Sequence, residues 1–218
     1  MAGVIGFVGL DQLSLDMAAS LLRAGYKVQA FEVQNLLMNE FLKLGGTECF
    51  SLREAGKGVA ALIVLISHVD QINDIIFGHD SALKGLQKDT VIILHSTILP
   101  SHIQNLEKNL REDGLTTSVV DAYVFKATSE LLNGKIMVIS SGRSDAISKA
   151  YPFLSAMSEK LYTFEGETGA GSKTKLVTEL LEGIHLIAAV EAISLGVKAG
   201  IHPWIIYDII SNAAGNSW

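Results

Sequence analysis

The sequence has little cysteine, no excess of basic residues and no long unbroken apolar run, and each shortage excludes a class of protein. The single cysteine, Cys49, excludes an internal disulfide and suits a reducing compartment. The formal net charge of −6 offers no basic face for nucleic acid. The longest unbroken apolar run, Val59 to Ile66, is far short of the roughly 20 residues that span a membrane, and the N-terminus lacks the basic start of a signal peptide. We therefore expect a soluble, cytoplasmic protein with no membrane or nucleic-acid partner.

The composition indicates a folded chain with a substantial core. Hydrophobic residues make up 49% of the 218 residues and charged residues 18%, which excludes an intrinsically disordered protein. At roughly 150 residues per domain, the length predicts one domain and part of a second. The 6 histidines do not cluster at metal-ligand spacing, so we expect no metal site.

The first two-thirds of the chain alternates between short β-rich runs and helical patterns. Continuous apolar runs are typical of strands that are covered on both faces. The alternation predicts an α/β fold over residues 1–165, with a doubly wound, mostly parallel sheet between helices. The predicted strands are 3–9, 27–33, 59–66, 91–94, 119–120, 136–139 and, more weakly, 161–164, and the predicted helices are 13–25, 35–44, 71–77, 102–111 and 144–157.

The pattern changes after Gly166, where no further strand is predicted. Residues 170–199 predict one long helix, and Pro203 suits the first turn of another helix over 203–212. An apolar stripe on the long helix needs a partner surface. We expect residues 166–218 to begin an incomplete all-helical domain that is completed by another copy of the chain or by further domains. The stripe consists of Leu176, Leu180, Ile184, Ile187, Val190 and Ile193.

A glycine-rich turn between the first predicted strand and helix is typical of dinucleotide binding. Gly6, Gly9 and Leu10 lie where the backbone would approach a pyrophosphate at a helix N-terminus. Glu32 follows Asp11 by 21 residues, close to the spacing expected of an acid that binds ribose hydroxyls. Glu32 would disfavour a 2′-phosphate, so the sequence favours NAD over NADP.

The same turn departs from the dinucleotide motif. Asp11 and Ser14 stand where G-x-G-x-x-G requires glycine. The Asp11 carboxylate would lie near the pyrophosphate and could cap the helix, taking N–H groups that the phosphate needs. At a separation of about 4 Å and an effective dielectric constant of about 20, the repulsion costs roughly 4 kcal/mol. Two interpretations stay open: a weakened cofactor site, or a tight turn with a helix cap and no bound cofactor.

Segments in order along the whole chain resemble the β-hydroxyacid dehydrogenases, the family of 3-hydroxyisobutyrate, threonate and 6-phosphogluconate dehydrogenases. Residues 4–10, V-I-G-F-V-G-L, resemble the start of that family, and Ser96-Thr97 follows a strand as its cofactor threonine does. Residues 121–127, D-A-Y-V-F-K-A, take the place of the substrate segment D-A-P-V-S-G-G. Residues 166–175 match the catalytic segment G-x-x-G-x-G-x-x-x-K. The chain also resembles the first dehydrogenase-like module of a plant fusion protein with sugar-acid-kinase-like and class II aldolase-like modules.

The resemblance implies an architecture and a reaction. A Rossmann domain would be joined by a long helix to an all-helical domain that supports dimerisation. The reaction would be hydride transfer between NAD(P) and the carbinol carbon of a small 3-hydroxy acid. The resemblance implies that Lys175 is the catalytic acid/base, that Thr97 contacts the cofactor, and that the substrate positions are Asp121, Tyr123, Phe125, Lys126 and Glu179.

The departures from the family pattern lie at the implied site. Phe125 replaces the serine that binds the substrate carboxylate, and Lys126 and Ala127 replace two glycines. Glu179 replaces an asparagine or glutamine and could simply form an exposed i, i+4 ion pair with Lys175. Asp121 could equally cap the turn that follows it. Two hypotheses remain: an NAD-dependent hydroxyacid dehydrogenase module, or a non-catalytic module derived from one that serves assembly or regulation in a larger protein.

Overall fold

A computed structural model describes residues 3–32, 37–66, 69–96, 99–112, 117–126, 135–213 and 215. For Ile66, Val69, Ser96 and Lys126 it describes the backbone alone. The chain divides into two compact units, Met1–Lys173 and Thr174–Trp218.

The first unit contains one mostly parallel sheet, which confirms the predicted fold class. In the described residues the strand order is β3-β2-β1-β4-β5-β6-β7-β8, and every neighbouring pair is parallel except β6 with β7. The strands are β1 Val4–Val8, β2 Lys27–Phe31, β3 Thr47–Glu48, β4 Ala61–Ile66, β5 Val91–Ser96, β6 Ser118–Lys126, β7 Ile136–Gly142 and β8 Lys160–Glu165.

Helices connect the strands and cover the sheet. A short 3₁₀ turn, Ala82–Lys84, precedes β5. The helices are α1 Gln12–Arg23, α2 Met38–Lys43, α3 Leu52–Ala55, α4 Val69–Phe77, α5 Pro100–Glu112, α6 Ser144–Met157, α7 Ala170–Lys198 and α8 Pro203–Ser211.

The continuous apolar runs arise because the sheet separates two cores. Successive side chains of a strand point to opposite faces, so an inner strand must be apolar at every position. Along β4, Ile63 belongs to the core that includes α1 and α6, whereas Leu62 and Val64 belong to the core beneath α3, α4 and α5. All three side chains are fully buried.

The structure differs from the sequence prediction mainly at β6. The predicted strand 119–120 extends over Ser118–Lys126, so Asp121 lies within a strand and does not end one. β6 also runs antiparallel to β7, which apolar patterning does not reveal. The short elements β3 and α3 were not predicted. The predicted helix 35–44 corresponds to Met38–Lys43, and residues 33–36 lie outside the described residues.

The second unit consists of α7 from Thr174 onward and of α8. Gly196 lets the two helices meet, because a Cβ atom there would lie 2.3 Å from Cδ1 of Ile206. By length and composition alone α7 could cross a membrane, with a mean hydropathy of 1.7 over 18 residues. The core helices of soluble proteins pass the same test. α7 contains no long unbroken apolar run, because charged residues such as Glu179 and Glu182 interrupt its apolar sequence.

Candidate functional site

The β1–α1 turn needs glycine for the protein's own packing. A Cβ atom at Gly6 would lie 2.2 Å from the carbonyl oxygen of Ala55. Gly9 has a φ of +94°, and a Cβ atom there would lie 2.4 Å from the carbonyl oxygen of Leu65 in β4. Both glycines are therefore explained by close backbone contacts inside the first unit, whether or not a ligand binds the turn.

Asp11 is the N-cap of α1, as the capping interpretation predicted. Its Oδ1 accepts a hydrogen bond from the N–H of Ser14 at 2.7 Å. In return, the Asp11 N–H donates to Oγ of Ser14 at 2.7 Å. Ser14 Oγ also donates to the Asp11 carbonyl oxygen at 2.9 Å. Asp11 and Ser14 thus form a reciprocal capping box, with Ser14 in the place that Glu or Gln takes most often.

Glu32, which follows β2, points its carboxylate at the same turn. Its Oε2 accepts a hydrogen bond from the N–H of Leu10 at 2.5 Å. The carboxylate that we expect to bind ribose hydroxyls therefore lies against the strand–helix turn. It is also bound to the backbone of that turn.

Two donors of the turn remain available to a ligand. The N–H groups of Gln12 and Leu13, the first two of α1, have no acceptor in the part of the chain that the structure describes. The start of a helix also carries a partial positive charge, so these groups suit one phosphate oxygen or two. The backbone of the turn thus fits the pyrophosphate of a dinucleotide, although the Asp11 carboxylate lies at the same helix end.

The carboxyl ends of β1, β4, β5 and β6 meet at the edge of the sheet where this turn lies. In a doubly wound sheet that edge is where ligands bind. Thr97, the expected cofactor contact, follows β5 at this edge but lies outside the described residues, and so does the Lys126 side chain.

Asp121 is buried, and its carboxylate caps the start of α7. Its Oδ2 accepts from the N–H of Ser172 at 2.8 Å, and its Oδ1 accepts from Oγ of Ser172 at 2.9 Å. Ser141 Oγ donates to Oδ2 of Asp121 at 3.2 Å and accepts from the N–H groups of Gly169 and Gly171 at 3.2 and 2.9 Å. Asp121 therefore caps a helix, as one of the two alternatives held. That helix is α7, whose Ser172 lies 51 residues further along the chain, and not the turn that directly follows Asp121.

The electrostatics of Asp121 follow from this burial. Removing the carboxylate from water raises its pKa above the ordinary value of 3.8. The hydrogen bonds from Ser172, Ser141 and Gly169 oppose that rise but do not cancel it. The role of Asp121 that the structure shows is to hold the start of α7 through its hydrogen bonds with Ser172.

Aromatic rings line β5 and β6 at the same edge. The rings of Tyr123 and Phe125 are stacked with centroids 5.1 Å apart, and His95 stacks on Tyr123 at 6.5 Å. Nδ1 of His95 lies between the N–H of Val124 at 3.1 Å and the carbonyl oxygen of Ala122 at 3.2 Å, so its tautomer decides which of the two it binds. Phe125 thus belongs to a ring stack, where the family resemblance implies a serine that binds carboxylate.

Sequence reasoning did not single out Ser141 and Ser172 and gave His95 no role. His95 carried a signal, because it directly follows the apolar run of β5 at the edge where ligands bind. No local sequence pattern marked Ser141 and Ser172, because their hydrogen-bond partner Asp121 is far away in sequence.

In the second unit, Lys175 and Glu179 form the predicted i, i+4 ion pair. Nζ of Lys175 lies 3.3 Å from Oε1 of Glu179. The pair is not the exposed one that the sequence allowed, because the lysine side chain is only 8% exposed while that of Glu179 is 46% exposed. Lysine is one of the side chains that serve as general acid or base in enzymes.

The other candidate residues do not form a second site. Burial, together with Glu54 and Glu48, raises the pKa of the Cys49 thiol to about 11, so this cysteine is a poor nucleophile near neutral pH. Over the described ranges, no three His, Cys, Asp or Glu side chains converge as metal ligands would.

Comparisons with known proteins agree with this architecture. Residues 4–166 match the NAD binding domain of 6-phosphogluconate dehydrogenase, and residues 169–218 match the NAD-binding domain of NADP-dependent 3-hydroxyisobutyrate dehydrogenase. The chain is 34% identical to L-threonate dehydrogenase of Cupriavidus necator, over 100% of this chain and 73% of that protein. It is 27% identical to NAD-dependent L-serine dehydrogenase of Pseudomonas aeruginosa, over 98% of this chain and 71% of that protein.

A solved structure supports the same assignment. The crystal structure of 3-hydroxyisobutyrate dehydrogenase from Salmonella typhimurium superposes with a TM-score of 0.84 at 30% identity, over 99% of this chain and 75% of that one. These comparisons support a nicotinamide cofactor without separating NAD from NADP. The chain belongs to the β-hydroxyacid dehydrogenase family, whose members are NAD(P)-dependent hydroxyacid dehydrogenases.

Proposed function

We propose that this chain is a nicotinamide-dependent hydroxyacid dehydrogenase module that acts on a small 3-hydroxy acid. The observation that carries the proposal is Lys175, a buried lysine paired with Glu179 at the lysine position of the family's catalytic segment. When bound, the nicotinamide ring supplies the acceptor or donor of the hydride. As the neutral amine, Lys175 takes the proton from the substrate hydroxyl during oxidation, and as the ammonium ion it returns that proton during reduction.

The β1–α1 turn is the proposed binding site of the cofactor. The N–H groups of Gln12 and Leu13 hold the pyrophosphate at the positive end of α1. Glu32 lies against the same turn, where its negative charge repels a 2′-phosphate. We therefore propose NAD as the cofactor, and expect the dissociation constant of NADPH to exceed that of NADH.

The substrate class follows from the relatives. Those described above are, by their names, dehydrogenases of L-threonate, L-serine and 3-hydroxyisobutyrate, all small hydroxy acids. Phe125 removes one polar anchor from the implied substrate segment, and Lys126 is a cation that could bind the carboxylate instead. We expect a low affinity for such acids.

The test is turnover of L-threonate and 3-hydroxyisobutyrate with NAD, followed by nicotinamide absorbance, in the intact chain and in Lys175→Met. Lys173→Met is the matched control, since it removes an exposed lysine from the same helix. We expect Lys175→Met to lower kcat by about 10²-fold or more, with NADH binding unchanged. Absence of turnover in the intact chain, or equal rates in both variants, would overturn the proposal.

Two structural observations favour a second candidate function. The capping box of Asp11 and the ring stack of Phe125 give structural roles to two positions that the resemblance assigns to cofactor and substrate. A non-catalytic module for assembly or regulation would keep the fold and lose both ligands. Failure to bind NADH at millimolar concentration would select this candidate.

The cellular setting is also a proposal. The resemblance to a plant fusion protein suggests that the chain works beside kinase-like and aldolase-like modules. Many apolar side chains of α7 and α8 are exposed within the second unit, which supports a homo-oligomer or further domains of the same protein as partners. We place the protein in the cytoplasm because its single cysteine suits a reducing compartment.

A further inference from the structure

The carboxylate of Asp11 occupies the helix end at which the dinucleotide would bind. Its Oδ1 accepts from the N–H of Ser14 at 2.7 Å and lies 2.9 Å from Oγ of the same residue. An N-cap carboxylate satisfies donors of the first turn and places a negative charge at the positive end of the helix. Both properties are those of a bound phosphate.

Ser14 fixes this carboxylate from the other side. Its Oγ accepts from the N–H of Asp11 and donates to the carbonyl oxygen of the same residue. Glu32 engages the next donor along, the N–H of Leu10. The N–H groups of Gly9, Leu10, Asp11 and Ser14 are thus taken by hydrogen bonds within the chain before any ligand arrives.

We propose that Asp11 is an internal competitor for the pyrophosphate and sets the affinity of this chain for its dinucleotide, an inference that rests on the proposed function. The cofactor gains the N–H groups of Gln12 and Leu13 but meets a fixed like charge beside them. It also cannot take the N–H of Ser14 unless the cap opens. Both effects lower the affinity for the dinucleotide.

Two substitutions separate the charge from the cap. Asn is as good an N-cap as Asp, so Asp11→Asn removes the charge and keeps the hydrogen bond to Ser14. Asp11→Gly removes both, and glycine is tolerated at an N-cap with little loss of stability. Glu40→Gln is the control, because it removes an exposed carboxylate from α2 in the same unit.

The experiment is a titration of each purified variant with NADH, followed by nicotinamide fluorescence, with circular dichroism to show that each is folded. Relative to the intact chain, we expect Asp11→Asn to tighten binding about threefold and Asp11→Gly at least about tenfold, only part of what the bare repulsion allows. Glu40→Gln should not differ.

Two results would overturn the inference, and they are distinguishable. If all variants bind NADH with the same measurable affinity, Asp11 does not face the phosphates, while the proposed cofactor stands. If no variant binds, including Asp11→Gly, the cofactor assignment fails together with the inference.

Discussion

At the scale of single residues, the β1–α1 turn meets two separate requirements: room for neighbouring backbone at its glycines, and a cap for the first turn of α1. Gly6 and Gly9 are glycines because backbone carbonyl groups of α3 and β4 lie against them. Asp11 is compatible with the same turn because an N-cap adopts extended backbone, here with a φ of −110°. The motif therefore keeps its shape even where its phosphate-binding glycine is absent.

Replacing Gly9 tests the packing constraint. Gly9→Ala should lower the free energy of unfolding by about 3 kcal/mol, because it adds a clash with the Leu65 carbonyl to the strain of a positive φ. Gly25→Ala is the matched control: its φ is +89° and its Cβ atom would meet nothing within 4 Å, so strain alone should cost about 1 kcal/mol. Urea unfolding of both variants measures the difference. Equal losses would show that the Leu65 contact is not limiting.

Local residue roles could be predicted from the sequence, whereas long-range ones could not. Capping was one of two open interpretations of Asp11, and it rested on a local signal, a short acidic side chain immediately before a helix. For Asp121 capping was one of two alternatives, and it was considered only for the turn that directly follows this residue. Its acceptor bonds go to Ser172, 51 residues away, and only the folded sheet brings these residues together.

At the scale of elements, α7 begins where two buried side chains hold it. The first turn of a helix has N–H groups without intrahelical partners, and a buried start must satisfy them. Asp121 and Ser141, on the antiparallel pair β6 and β7, accept from three of these groups. The sheet thereby determines where the helix with the family's lysine begins.

This cap has a predictable pH dependence. The pKa of Asp121 is higher in the folded chain than in the unfolded one, because burial disfavours the charged form. Its contribution to stability is therefore fully present below pH of about 4 and is lost as pH rises through the folded pKa. The free energy of unfolding of the intact chain, minus that of Asp121→Asn, should fall as pH rises above about 4. Urea unfolding at several pH values measures it, and a difference that rises with pH would contradict the account.

The elements that were predicted well are those with strong local patterns. α6 matches its predicted bounds, Ser144–Met157, because its apolar residues recur at helical spacing. β3 and α3 have 2 and 4 residues, too few for any periodicity to be visible. The reversal of β7 against β6 is decided by the connection between them, which apolar patterning does not describe.

At the scale of the whole molecule, the second unit exposes more apolar surface than the predicted stripe. Leu180 and Ile187 of that stripe are 66% and 60% exposed, but Leu195, outside it, is 71% exposed. A helix that is apolar around most of its circumference is usually covered by other elements. The sequence could predict a need for partners but not the breadth of the surface.

This surface should make the isolated chain self-associate. We expect sedimentation velocity to show dimers or larger species, together with binding of a hydrophobic dye. The double variant Leu180→Glu/Ile187→Glu should shift the chain toward monomer. Ser194→Glu, which adds a charge at an exposed polar position of α7, should change association much less. A monomeric intact chain that binds no dye would contradict this expectation.

We infer that a nicotinamide dinucleotide binds the start of α1 through the two N–H groups that Asp11 leaves available. Nuclear magnetic resonance of the ¹⁵N-labelled chain during a titration with NADH tests it most directly, by following the backbone amide signals of Gln12 and Leu13. Both signals should shift progressively and saturate at a high NADH concentration, while the signals of Thr90 and Val91, at the opposite, amino end of β5, should stay in place. Signals of Gln12 and Leu13 that do not move up to millimolar NADH would contradict it.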